Sequence, residues 1–232
     1  MEFNELDDRR LREMAAAGDD VLECLRVLEK TNGNVVGELL REVETFYEFD
    51  HCPPGDVYDD ETHAQYYYHA HREGEHGHFH TFLREKGMPA GLRPIEQSEA
   101  EFMAERDDLL SHLVAISMDQ QGMPLAVFTT NRWVTADNWY QAEDVIAMLD
   151  HFEIDQAWPS WPANRWLGAM LRLFRPQIEQ VIRQRDVRVA DWHRQHPDGD
   201  VFEDRRLDLA SYQEISIQQQ IDGVQAALAQ RH

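Results

Sequence analysis

Cysteine is scarce. The 232-residue chain has 2, Cys24 and Cys52. Two thiols in so long a chain make no disulfide framework, and neither has a second cysteine close enough for a CxxC zinc knuckle or redox pair. Positive charge is scarce as well. Against 44 acidic residues stand 22 basic ones, a formal charge of −22. Such a field repels phosphate backbones and anionic headgroups, so neither nucleic acid nor membrane is an expected partner. Long apolar runs are missing, and nothing approaches the roughly 20 residues that a membrane helix needs. The opening Met-Glu-Phe-Asn-Glu-Leu-Asp-Asp is acidic and has no apolar core, so the expectation is a cytoplasmic chain without a signal peptide. There is no HExxH helix, no glycine-rich phosphate loop and no GxSxG elbow.

What is present suits a sizeable folded core. The hydrophobic share is 42% and the aromatic share 10%, with 6 tryptophans. The length suggests one α+β domain over 1–232. Residues 1–42 read as helical, 43–130 as a sheet-forming block, and 131–232 as mainly helical. The expected fold is a central antiparallel sheet of about four to six strands, including two hairpins, with helices before and after packed mainly on one face.

Within that frame the pattern predicts particular elements. Leu11, Met14, Val21, Leu22, Leu25 and Leu28 mark a helix over 5–30, which Gly18-Asp19-Asp20 should split. Residues 35–42 read as a short helix. Val43, Thr45, Tyr47 and Phe49 alternate, which predicts a strand over 43–50, and the proline-bearing stretch 51–62 reads as loop. Residues 99–110 can form a helix. Leu113–Met118 and Leu125–Thr130, joined by Asp119-Gln120-Gln121-Gly122, read as a hairpin. Thr135 is the expected cap of a helix ending near Phe152. A core-facing helix follows the Trp158–Pro162 corner and is interrupted at Pro176. An edge strand within 207–217 and a helix over 218–230 close the pattern.

The strongest chemical signal is histidine. Of 12 histidines, six lie between positions 63 and 80: His63, His69, His71, His76, His78 and His80. Residues 66–72 and 77–83 are both strand-like, and Gly74-Glu75 fits a two-residue type II′ turn. That turn would pair His71 with His78, His69 with His80 and Tyr67 with Phe82, all on one face. Directly opposed Cβ atoms lie about 4.5–5.5 Å apart, close enough for imidazoles to converge on one ion. His69, His71, His78 and His80 are thus the candidate metal ligands, with His112 as the leading ligand from outside the hairpin. The expected cofactor is a divalent transition metal, Fe, Zn or Cu. Glu73 or Glu75 would orient a ligand or act as base, and Tyr67, Tyr47 and Phe82 could wall a pocket.

His69-Ala70-His71 followed by Glu75 resembles the first half of the cupin metal motif, over seven residues. The resemblance stops there. Position 63 is His and position 82 is Phe where that motif has glycines, and no second motif follows. The strand count is also too low for the double-sheet jelly roll that the resemblance implies. Elsewhere, Arg132 sits between a strand and a helix, where an arginine could clamp a carboxylate or phosphate.

These observations favour a metal-dependent enzyme acting on a small molecule, with hydrolytic and oxidative chemistry both open. A metal-free histidine acid–base pair is a second use of the same residues. The alternative from another class is a non-catalytic acidic interaction module with structural histidines. The discriminating observation is whether the histidine face is covered beside a cleft or open to solvent. The sequence leaves room for a homodimer.

Overall fold

Six strands pair strictly in chain order, so the sheet is an antiparallel meander. The computed structural model describes residues 3–41, 43, 45–95 and 109–231. The strands are β1 (Cys52–Tyr58), β2 (Ala64–His69), β3 (Gly77–Arg84), β4 (Leu110–Met118), β5 (Pro124–Thr130) and β6 (Leu209–Glu214). The α-helices among the described residues are α1 (Asp8–Glu29), α2 (Val35–Leu39), α3 (Arg132–Thr135), α4 (Ala142–Met148), α5 (Trp161–Leu173), α6 (Arg175–Gln195) and α7 (Ile217–Ala229). The α+β architecture expected from the pattern is therefore the one observed. No helix among these residues is long and apolar enough to cross a membrane.

One face of the sheet carries the main core. Tyr66, Tyr68, Phe79 and Leu83 project from β2 and β3 into it and meet α5, where Phe79 lies 5.8 Å from Trp166 between ring centroids. Complete burial of such side chains contributes about 1.5–3 kcal/mol each. The Tyr66 hydroxyl donates to Asn164 Oδ1 at 2.6 Å, so the one polar atom it brings inside is satisfied.

Several elements differ from their sequence-based expectation. Helix α1 is continuous, capped by Asp7, whose carboxylate accepts the Arg10 N–H at 2.7 Å. Gly18 does not break it. A Cβ at Gly18 would stand 3.1 Å from Ile221 Cγ1, so the glycine admits the close approach of α7. Residues 43–50 contain no strand among those described. Phe49 takes φ 69°, its N–H donates to the Ala70 carbonyl, and its ring stacks on His71. Phe49 therefore covers His71 and does not extend a sheet. Conversely, the stretch read as loop contains β1. An edge strand tolerates Pro53 and Pro54, and its pairing with β2 is interrupted between Cys52 and Val57.

The helix expected from Thr135 to Phe152 is divided. Asn131 caps α3, while Thr135 Oγ1 donates to Asp137. Asp137 accepts the His112 N–H and Asn138 accepts the Leu110 N–H, so the segment after α3 fastens the start of β4 and cannot continue as helix. The helix expected over 99–110 lies mostly outside the described residues, and Leu110 opens β4. The interruption near Pro176 is present as the break between α5 and α6, and β6 is the expected edge strand.

Candidate metal centre

Alternation along the first hairpin places Gln65, Tyr67 and His69 of β2 on the same face as His78, His80, Phe82 and Arg84 of β3, opposite the helical core. The register differs from that expected. His69 pairs with His78, Tyr67 with His80 and Gln65 with Phe82. Gly74 does take the left-handed φ of 88°, but the connection is longer than a two-residue turn. The contacts of residues 75 and 76 explain why. Glu75 folds back onto His78 and Ser117, and the His76 N–H donates to the Met118 carbonyl. The shift amounts to two residues, so every histidine keeps its face.

A second irregularity completes the cluster. Pairing between β3 and β4 slips between Thr81 and Phe82, which sets Phe82 opposite His112. Without this bulge Leu113 would face the histidines. With it, Leu113 joins the helical core and His112 reaches the other face.

One nitrogen from each of His69, His78 and His80 lies within 4.8 Å of the others. All three side chains are buried, at 7%, 1% and 0% exposure. Each ring is held by at least one nitrogen. His78 Nδ1 lies 2.5 Å from Glu75 Oε1, and Ser117 Oγ donates to the second oxygen of that carboxylate. His80 Nδ1 lies 2.9 Å from His112 Nε2. His69 Nε2 faces His78 Nε2 at 2.8 Å. Two buried nitrogens, His69 Nδ1 and His80 Nε2, have no hydrogen-bond partner among the described residues.

Burial sets the protonation. It pushes His69 down to about 2, with the histidines around it adding to the effect, and His112 to about 3, with the Arg185 guanidinium adding to it. His80 is pushed well below its ordinary value for the same reason. Burial also lowers His78, against the pull of Glu75. The Glu75 carboxyl is raised by burial, but its hydrogen bonds to His78 and Ser117 outweigh this and hold it below the usual range. The result is a set of neutral imidazoles, the form that binds metal, beside an ionised carboxylate.

Of the residues named from sequence, the structure gathers His69, His78, His80 and Glu75. His71 lies just past β2, half-buried, with its ring 4.8 Å from that of His69 and 4.9 Å from that of His78, outside the trio of converging nitrogens. His112 stands on the Nδ1 side of His80. Glu73 is exposed on the turn. Tyr47 is exposed and does not line the cavity described below. Arg132 is held by Glu203 at 2.8 Å and Asp200 at 3.6 Å and lies over Phe202.

Sequence reasoning missed Ser117 and His51. Ser117 pairs with His78 across β3 and β4, and only the register of the second hairpin would have shown it. His51 stacks on Tyr67 at 3.6 Å and lies edge-on to His69 at 5.6 Å. Its partner is Asp56, whose Oδ1 lies 2.8 Å from Nδ1. A cavity of about 580 Å³ adjoins the cluster at these rings, lined by His51, Asp56, Gln65, Tyr67, Phe82, Arg84 and Trp133 among others.

No curated protein and no solved structure matches this chain. Residues 15–215 match the model of DUF6969, a domain of unknown function, and the chain belongs to that family.

Proposed function

We propose that this protein is a metal-dependent enzyme acting on a small molecule, with a divalent Fe, Zn or Cu ion held by His69, His78 and His80. The observation that carries this reading is the pair of buried, partnerless nitrogens in a trio that already converges. A buried imidazole nitrogen without a partner costs about 1–3 kcal/mol, and an ion bound by the trio would relieve that cost at His80 Nε2. Glu75 fixes the tautomer of His78 and His112 steadies His80, which are the outer contacts that metal-bound histidines ordinarily have. His71, whose ring lies 4.8 Å from that of His69 and 4.9 Å from that of His78, is a further donor.

Three protein nitrogens leave a coordination position open. An ion there can lower the pKa of a bound water or polarise a carbonyl oxygen or dioxygen. Hydrolytic and oxidative chemistry both fit such a donor set. The interaction-module reading expects histidines open to solvent. Their burial, with a cavity alongside, favours the enzyme.

The test is metal content by plasma mass spectrometry on untagged protein, wild type against His69→Ala/His78→Ala/His80→Ala. Near-stoichiometric iron, zinc or copper in the wild type alone is the expected result. No metal in either protein, even after reconstitution, overturns the reading.

A further inference from the structure

The cavity beside the trio has charged groups of both signs in its wall, and they are joined to each other. Among the described residues its charged wall groups are Arg84 and Asp56. Arg84, 6% exposed, donates from Nε to Gln65 Oε1 at 2.7 Å and lies over the Tyr58 ring. Gln65 Nε2 donates to Asp56 Oδ2 at 2.6 Å, and Asp56 Oδ1 lies 2.8 Å from His51 Nδ1. One guanidinium and one carboxylate, linked through a single amide, leave the wall without net charge. Thr135 donates its hydroxyl to Asp137, and Trp133 donates its indole N–H to the Leu207 carbonyl. An ionic ligand of either sign would lie beside a like charge. It would also give up its hydration to reach partners that are already engaged.

Two features of the wall remain for a ligand. The first is aromatic surface. Tyr67 and Phe82 stand 5.5 Å apart between ring centroids, with Trp133 also in the wall. The second is a pair of polar groups without a hydrogen bond among the described residues, the Tyr67 hydroxyl and His51 Nε2. The Asp56 carboxylate accepts from His51 Nδ1, so a neutral His51 carries its proton there and keeps a lone pair on Nε2. The two rings stack at 3.6 Å, which brings a donor and an acceptor into one stack. A hydroxyl group, which both donates and accepts, complements that pair without adding charge. The volume of about 580 Å³ has room for a two-ring molecule.

We propose that this cavity binds an uncharged, planar aromatic alcohol of the phenol class. Its hydroxyl donates to His51 Nε2 and accepts from Tyr67, and its ring lies against Phe82 and Trp133. His51 is also edge-on to His69 at 5.6 Å, so the hydroxyl end lies on the side of the trio. This inference deepens the metal reading by naming a substrate class, and it rests on that reading for the reaction but not for binding.

The test is isothermal titration calorimetry at pH 8 on the full-length protein, as purified and after chelation. The probes are 2-naphthol, its methyl ether 2-methoxynaphthalene, the anion naphthalene-2-carboxylate and the cation (2-naphthylmethyl)trimethylammonium. 2-Naphthol should bind best, with both ions at least about tenfold weaker. The ether, which cannot donate, should bind about fivefold more weakly, the value of one net hydrogen bond. In His51→Phe, which keeps a ring to stack on Tyr67, 2-naphthol should fall to the level of the ether. Val134→Trp fills the cavity at a half-buried position, should weaken both neutral probes, and serves if His51→Phe does not fold. Equal or tighter binding of either ion, no binding of 2-naphthol, no preference over the ether, or indifference to the variants would overturn the proposal. The metal reading fails separately. Binding of 2-naphthol to a protein that takes up no metal keeps the cavity and rejects the ion, and metal without such binding does the reverse.

Discussion

The Nε2 atoms of His69 and His78 face each other 2.8 Å apart, and Glu75 occupies the far side of His78. An ionised carboxylate at Nδ1 draws the proton there, which leaves a lone pair on His78 Nε2. His69 must then supply the proton between the two rings, and its buried Nδ1 becomes an acceptor with no donor. A divalent ion held by His69, His78 and His80 would take the place of that shared proton, which would pass to His69 Nδ1 on the same neutral ring.

Glu75→Gln removes the charge that selects the His78 tautomer. Metal affinity should fall by about 10- to 100-fold, the usual effect of losing an outer partner. Ser117→Ala, which loosens Glu75 without removing its charge, should cost less. Competition against a chelator of known affinity measures both, and equal affinity in wild type and Glu75→Gln would contradict the assigned role.

The metal-free protein should lose stability as pH falls below about 6.5. The unfolded chain protonates its histidines near that value, whereas His69, His80 and His112 stay neutral when folded. The unfolded state therefore binds more protons, and the equilibrium shifts towards it as acid is added. Each such imidazole contributes a slope of up to about 1.4 kcal/mol per pH unit. Urea unfolding at pH 5 and 7.5, in the presence of chelator, should show it. His80→Phe, which has no group to titrate there, should give a shallower slope.

Much of this site was legible in the sequence because its ligands lie on one hairpin. Period-two spacing gives the shared face of His69, His78 and His80 whatever the register, provided that the register slips by an even number. The register itself was not legible. It depends on Glu75 reaching Ser117, 42 positions along the chain, and that pairing exists only once β3 and β4 are aligned. The role of His112 depends on a bulge, which period-two reasoning cannot foresee. Phe49 failed for a similar reason. Its alternation is real, but a ring stacked on His71 and a left-handed backbone suit it better than a strand. Helices fared better, since their apolar stripes are local, except at Gly18, where a tertiary contact overrode a local signal, and after Thr135, where Asp137 and Asn138 fasten β4 and divide the expected helix.

Tyr66→Phe tests the anchoring of the sheet on α5. The hydroxyl donates to Asn164 Oδ1, and Asn164 Nδ2 holds the carbonyls of Gln156 and Trp158. Removing the donor leaves a buried acceptor unsatisfied at a cost of about 1–3 kcal/mol. Chemical denaturation should show this loss with metal affinity unchanged, because Tyr66 faces away from the histidines.

Gly77→Ala should impair the metal centre without altering any ligand. A Cβ at Gly77 would stand 2.6 Å from the His69 carbonyl oxygen and 2.6 Å from the Tyr68 hydroxyl. The carbonyl is backbone, so relief requires moving His69 itself. Overpacking of this kind costs about 1–3 kcal/mol, and here the displaced residue is a ligand, so metal affinity should fall along with stability. Gly74→Ala is the control. Its φ of 88° strains any side chain, yet a Cβ there meets nothing within 4 Å. It should cost about 1–2 kcal/mol of stability and leave affinity intact. If both variants lowered affinity equally, strain in the turn rather than the position of His69 would be the controlling variable.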